Sequence, residues 1–314
     1  MTRLIVLALI WGSSFVWIKI GLRGFTPMQV VFLRCLLGAI VLVAIGRLHR
    51  LRLPGQPVLW AHFVVTAAVG NVAPFFLFGV GEQSIDSNLA GILNATTPLW
   101  TLVLAALTRT ERAMSPARAL GLLLGLAGAA VIFAPWQLGT GAASSVLGEA
   151  ACLVAAVLYG VHFVYAGRFL TCHGLDPIVL STGQLTAAAV LSAFVLPIGW
   201  QAPHPQGDAL ASVAVLGVLC TGIAYILNYR LLTDDGPTVT STVTYLIPVA
   251  AVLFGAGLLS ESLSLRVLAG MIVVLAGVGL VQHSTARSPR TGRARHGQTL
   301  KTAFCPQNAA NDPH

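Results

Sequence analysis

Charge is what this chain has least of. Asp, Glu, Lys and Arg together make up 9% of its 314 residues, against about 25% in an ordinary soluble domain. So few charges cannot cover a globular surface in water. Hydrophobic residues reach 56% and mean hydropathy is +0.83, which places the apolar surplus in lipid. Signatures of metal and redox chemistry are missing too. The cysteines are Cys35, Cys152, Cys172, Cys220 and Cys305. No two form a CxxC or a metal-ligand spacing, and three sit in apolar runs as small buried hydrophobes. No metal site and no cofactor are expected. The chain has no P-loop, no HExxH and no GxSxG, so hydrolysis-driven transport, zinc chemistry and a nucleophile elbow have no sequence support.

What charge there is leans positive, at net +8 and pI about 9.8. The basic residues fall in short gaps between apolar runs and in the tail. No basic stripe interleaved with aromatics is present, so nucleic acid is not an expected partner. Arg3 followed by an apolar run could be a signal peptide. The run reaches Leu22 without a small-residue cleavage site and leads into further runs, so it is read as a first membrane span.

Apolar runs of about twenty residues recur, the length that crosses about 30 Å of hydrocarbon at 1.5 Å per residue. They do not alternate in polarity, which excludes a barrel, and in lipid each must satisfy its own backbone as helix. Ten spans are predicted: 4–22, 27–45, 57–79, 87–108 and 115–134, then 147–169, 176–198, 209–231, 237–259 and 265–283. The fold class is an all-α integral membrane protein, with a first five-helix repeat over 1–137, a second over 145–283, and a disordered basic cytoplasmic tail over 284–314.

Orientation follows from the positive charges. With the N-terminus in the cytoplasm, that side receives Arg3; Arg47, Arg50 and Arg52; Arg109, Arg112 and Arg118; Arg168; Arg230; and the tail's Arg287, Arg290, Arg293, Arg295 and Lys301. The outer side receives only Arg23 and Arg266. A multi-pass protein of the cytoplasmic (inner) membrane with both termini cytoplasmic is expected.

The chain also repeats itself at an offset of about 150. Pro98 to Glu111 aligns with Pro248 to Glu261, and Gly121–Gly128 (GLLLGLAG) with Gly270–Gly277 (GMIVVLAG). The opening Trp11-Gly12-Ser13-Ser14-Phe15 matches Tyr159-Gly160-Val161-His162-Phe163, and Pro27 matches Pro177. Five spans per copy is an odd number, so the copies face opposite ways, the inverted-repeat architecture of many secondary transporters. Pro98 and Pro248 each remove a helical hydrogen bond at corresponding positions. The break either frees carbonyls toward a cavity or is a packing kink.

These residues carry a family resemblance. Ala8-Leu9-Ile10-Trp11-Gly12-Ser13-Ser14-Phe15 with Lys19, Pro27 and Arg34 resembles the opening of an EamA domain. Thr97-Pro98-Leu99, Glu111-Arg112 and Ala127-Gly128 follow in order, and the second half echoes them with Ile247-Pro248, Glu261 and Ala276-Gly277. The chain is similar over about 4–283 to two-EamA-domain members of the drug/metabolite transporter superfamily. The resemblance implies a ten-helix exporter of amino acids, related metabolites or drugs. In one respect the halves differ: Gln184 stands opposite Arg34.

Several residues within spans are candidates for a transport pathway. Lys19 and Arg34 are the basic groups at membrane depth, where a charge is costly and usually faces the bundle interior. Glu82 or Glu149, at the same predicted level, is the expected partner of Arg34 in an outer gate or anion anchor. A snorkelling Lys19 and a structural ion pair are the simpler alternatives. Trp11, Ser14 and Trp17, then Asn71 and Asn94, then Tyr159 and His162, then Tyr225, Asn228, Thr244 and Tyr245 are the polar and aromatic candidates for a mostly apolar cavity. Interhelical hydrogen bonding and aromatic-belt anchoring compete with that reading. His162 is the candidate for proton coupling, against a satisfied interior histidine. Gly121 and Gly125 form a GxxxG pair suited to close helix packing or a subunit contact.

A secondary exporter acting by alternating access on a small-molecule substrate is the leading reading. A channel or receptor subunit is the alternative, and a membrane-embedded enzyme would need a nucleophile–base pair or carboxylate dyad at depth that the sequence does not offer.

Overall fold

The computed structural model describes residues 2–85, 87–108, 115–133, 146–198, 200–204, 206–247, 249–250 and 265–286. The tail from 287, Glu111, Glu261 and Pro248 lie outside them. Every regular element among the described residues is helical. They are α1 (Thr2–Gly21), α2 (Pro27–Leu48), α3 (Pro57–Gly81), α4 (Ser87–Asn94), α5 (Thr97–Leu107), α6 (Pro116–Phe133), α7 (Val146–Phe169), α8 (Pro177–Val195), α9 (Gly207–Asp235), α10 (Pro237–Ser241) and α11 (Leu265–Ala286). Six of these, α1, α2, α3, α7, α8 and α9, are long and apolar enough to cross a bilayer. Shorter apolar stretches occupy α5, α6 and α11. Large apolar side chains such as Val16, Ile40, Phe194 and Ile272 lie exposed on the outside, as a lipid-facing surface requires.

Local chemistry fixes where helices begin. Pro27 opens α2 behind a capping box: Gln29 N–H donates to the Thr26 hydroxyl at 3.3 Å, and Thr26 N–H to Gln29 Oε1 at 2.9 Å. At the matching position Pro177 opens α8, where the Asp176 carboxylate accepts from Ile178 N–H at 2.7 Å. A proline at the first helical position loses no bond and is preset in φ. The predicted fourth span is divided: α4 stops at Asn94, a turn covers Ala95 and Thr96, and Pro98 stands in the first turn of α5. The C-terminal helix runs to Ala286, three residues past the predicted limit.

Both α3 and α9 contain a π-helical segment, at Ala68–Val72 and Leu216–Ile223. These fall in corresponding helices at the repeat's own offset. A π turn inserts an extra residue and leaves backbone carbonyls poorly placed for the helix's own amides.

The glycine pattern of the predicted fifth and tenth spans is an intramolecular seam. A Cβ on Gly277 would stand 2.6 Å from the Gly121 carbonyl oxygen and 2.6 Å from Gly125 N, and one on Gly128 would stand 2.6 Å from Val274 N. α6 and α11 therefore touch backbone to backbone, and the GxxxG pair faces its own chain instead of a second subunit. Two exposed ion pairs lie at helix ends: Arg3 to Asp234 at 2.6 Å and Arg23 to Asp208 at 3.5 Å. Asp234 thus ends α9 beside the N-terminus. Pairs this exposed contribute at most about 1 kcal/mol each.

Candidate functional site

A cavity lies among α1, α2, α3, α7 and α9, with about 60 Å³ open to the centre of a water molecule. That is room for several waters or a small organic ion. On α1 the wall is Trp11, Ser14, Phe15 and Ile18, spaced i, i+3, i+4 and i+7, so one helical face. On α7 it is Tyr159, His162 and Phe163; on α3, Phe75 and Phe78; on α9, Tyr225 and Asn228. Arg34, Asn94, Thr244 and Ile247 complete it.

Arg34 is 4% exposed. Its Nε–H donates to the Thr221 hydroxyl at 3.0 Å and its guanidinium carbon lies 3.7 Å above the centre of the Phe75 ring. Among the described residues no group meets its two terminal nitrogens, and neither Glu82 nor Glu149 is its partner. Glu82 is buried at the end of α3 and Glu149 half-buried in the first turn of α7. The structure therefore sets the expected gate pair apart.

The repeat-related position behaves differently. Gln184 Nε2–H donates to Asn71 Oδ1 at 2.5 Å and to the Thr66 carbonyl at 3.3 Å, while Gln184 Oε1 accepts from the Tyr229 hydroxyl. Arg34 corresponds to Gln184 and Thr221 to Asn71, each 150 residues on. The same cross-half contact is thus made twice, once with a charge left over and once with every hydrogen bond spent. Asn71 also donates to the Tyr225 hydroxyl at 2.8 Å, so it belongs to this buried network and not to the cavity wall.

Each π segment accepts a hydrogen bond from the other half, at corresponding carbonyls but from donors that do not correspond. Trp11 Nε1–H donates to the Cys220 carbonyl in the α9 segment at 3.1 Å, and the Tyr225 hydroxyl donates to the Gly70 carbonyl in the α3 segment at 2.8 Å. Gly70 and Cys220 are again 150 apart. The two donor rings meet edge-on in the cavity wall, with centroids 6.2 Å apart.

His162 is 2% and Asn228 1% exposed, and all four of their polar side-chain atoms lack a hydrogen-bond partner among the described residues. Gly70 is what admits His162: a Cβ there would run into the imidazole. An orphaned buried polar group costs about 1–3 kcal/mol, so a wall carrying two such side chains calls for something to bond them.

Of the sequence-predicted pathway residues, the cavity gathers Trp11, Ser14, Arg34, Asn94, Tyr159, His162, Tyr225, Asn228 and Thr244. Ser14 donates to the Trp11 carbonyl at 2.5 Å, and Asn94 accepts from the Thr97 hydroxyl at 3.4 Å. Trp17 packs into an apolar cluster between α1 and α9, and its carbonyl accepts from Ser212. Lys19 is exposed, as a snorkelling lysine is. Tyr245 is fully buried against Gly125 and donates to the Leu122 carbonyl at 2.9 Å. Sequence reasoning passed over Phe15, Phe75, Phe78 and Phe163. Phe15 and Phe163 had one available signal, spacing: each lies four residues from an aromatic wall residue on the same helix, Trp11 and Tyr159, whereas Phe75 and Phe78 had none.

Two stretches of the chain, 2–134 and 146–282, match the EamA-like transporter family. The chain belongs to that family. Its EamA repeats make it a multi-pass membrane transporter, and similar proteins carry matching names. It is 25% identical over 280 residues to the "Uncharacterized transporter YoaV" of Bacillus subtilis, covering 88% of this chain and 94% of that protein. It is 26% identical over 287 residues to an "Uncharacterized transporter" of Archaeoglobus fulgidus, covering 90% and 99%. It is 28% identical over 271 residues to the "Uncharacterized inner membrane transporter YedA" of Escherichia coli, covering 83% of each. A solved crystal structure has the same fold, with a TM-score of 0.73 at 22% identity over 91% of this chain and 97% of that one.

Proposed function

We propose that this EamA-family chain is a secondary transporter that exports small polar metabolites, amino acids or related compounds among them, or drugs, across the cytoplasmic membrane by alternating access. One observation carries the reading: the cavity is walled by both repeats, and its cross-half contact Arg34–Thr221 recurs at the repeat's offset as Gln184–Asn71. Contacts that pair in this way suit ten helices arranged as two inverted five-helix halves that trade conformations about a shared site. The channel reading is less well supported, since a conducting pore would not bury its polar wall residues to 1–2% exposure. The test is flux. Cells with the chain should accumulate specific metabolites in the medium faster than cells without it, and uptake into everted vesicles should saturate and respond to ion gradients. Flux that rises linearly with concentration identifies a channel, and no flux of any compound defeats both readings.

Topology has its own test. With both termini cytoplasmic, a reporter fused at residue 290 is active only in its cytoplasmic form, and one fused in the 23–26 turn only in its exported form. The reverse pattern inverts the proposed orientation. His162 is the wall group through which a coupled proton would act. Collapsing the proton gradient should then lower flux in the parent chain and leave that of His162→Gln unaltered. A parent whose flux ignores the gradient removes that role.

A further inference from the structure

The cavity's chemistry is lopsided, and that bears on what it holds. Arg34 is the one charged side chain among its described wall residues. Its Nε is committed to Thr221 and its face to Phe75, which fixes the guanidinium's plane and leaves its terminal nitrogens without a partner among the described residues. An unneutralised guanidinium at membrane depth is expensive, and its fork of donors fits a carboxylate in two parallel bonds. No described acidic side chain on the wall stands ready to receive an ammonium.

The other end is neutral. Thr221, beside Arg34, and Asn228 lie seven residues apart on α9, about 10 Å at 1.5 Å per residue. Along α7, Tyr159 and then His162 step the same way. Between Thr221 and Asn228 stands Tyr225, whose ring meets Trp11 edge-on with centroids 6.2 Å apart, while Tyr159 and Phe15 ring the wall around Phe78, one turn along α3 from Phe75. His162 and Asn228 wait at the far end with unpartnered donors and acceptors.

Resting on the transporter reading of this same site, we infer that the cavity takes an organic monocarboxylate with a ring-sized apolar body and a distal neutral hydrogen-bonding group, and that it does not require an α-ammonium. The carboxylate lies on Arg34, the body among Phe75, Trp11 and Tyr225, and the distal group on His162 and Asn228. A purely cationic molecule of the same shape places its charge against Arg34 and is rejected.

Three probes of nearly one shape separate the possibilities: para-hydroxyphenylacetate, tyrosine and tyramine. They carry a carboxylate, both charges, and an ammonium alone. Binding is measured by calorimetry and thermal shift on the purified full-length chain in lipid nanodiscs. para-Hydroxyphenylacetate should bind at least as tightly as tyrosine, and tyramine about 100-fold more weakly or not at all, since a charge-assisted pair contributes about 1.5–3 kcal/mol. Phenylacetate, lacking the hydroxyl, should bind about 5-fold more weakly than para-hydroxyphenylacetate. In Asn228→Leu that ratio should fall toward one, a readout that a merely structural asparagine would not move. Arg34→Gln should abolish the preference for carboxylate over ammonium, and Arg34→Lys should keep its sign. Tyramine binding tightest, or tyrosine binding more than about 10-fold tighter than para-hydroxyphenylacetate, overturns the inference. So does an Arg34→Gln chain with undiminished carboxylate preference. Failure of the transporter reading looks different. para-Hydroxyphenylacetate that binds but does not cross proteoliposomes leaves the site standing and removes the carrier, while efflux of some other metabolite that para-hydroxyphenylacetate neither matches nor competes with removes the site and leaves the carrier.

Discussion

A chain carrying Gly277→Val should accumulate poorly in the membrane and unfold well below the parent in detergent, whereas Gly279→Val, two residues on, should behave as the parent does. The difference lies in what each new Cβ meets. At Gly277 it stands 2.6 Å from a carbonyl oxygen and 2.6 Å from an amide nitrogen, both backbone atoms of α6. Backbone within a helix cannot turn aside as a side chain can, so the two helices must separate. Overpacking a close contact costs about 1–3 kcal/mol, and separating α6 from α11 also opens the neighbouring contacts of Gly121 and Gly128, so about 3 kcal/mol or more is expected. Against a total stability of about 5–15 kcal/mol that is a large share. At Gly279 nothing among the described residues lies within 4 Å, and valine there meets open space. Yield and the thermal midpoint by size-exclusion chromatography read the result directly. Equal loss at the two positions would mean that helix propensity and not the seam governs them.

That seam was legible in the sequence as a run of glycines, because small residues in an apolar helix have few other uses. Six long spans were legible for a similar reason: length and hydropathy are properties of a segment alone. The pairing of Arg34 with Glu82 or Glu149 was not, since it rested on depth in the bilayer. Depth says nothing about which way a side chain points around its helix. Trp17 failed for the same cause. It sits six residues from Trp11, about 240° around the helix at 100° per residue, and so leaves the face that Trp11 shares with Ser14, Phe15 and Ile18. The phenylalanines of the wall escaped notice because an apolar residue facing a cavity and one facing lipid read alike. The π segments left no residue signature at all. A π turn depends on where a carbonyl finds a donor, and for Gly70 and Cys220 the donors lie about 150 and 210 residues away in the chain.

Those two donors permit the sharpest test of motion. Trp11→Phe and Tyr225→Phe each delete the hydrogen bond to a π-segment carbonyl while keeping a ring in the cavity wall, and Tyr225→Phe also removes the acceptor of Asn71. A side-chain hydrogen bond between membrane helices contributes about 0.6–1.7 kcal/mol, so each substitution should shift the balance between conformations about 3- to 15-fold away from the one described here. The two bonds sit in different helices and act in opposite halves. Because the two rings touch, with centroids 6.2 Å apart, the double substitution should shift the balance further than either single one but depart from the product of the two effects. Spin labels at opposite ends of α3 and α9, in nanodiscs, report the populations as distance distributions, and flux is measured beside them. Because the wall keeps its rings and Arg34 keeps Thr221, substrate affinity corrected for the population change should stay within about twofold. Distance distributions and flux that the double variant leaves untouched would mean that the carbonyl bonds are fixed packing. The α3 and α9 segments would then travel rigidly with their halves, and any exchange of access would have to turn on the α4–α5 break at Ala95 and Thr96 instead.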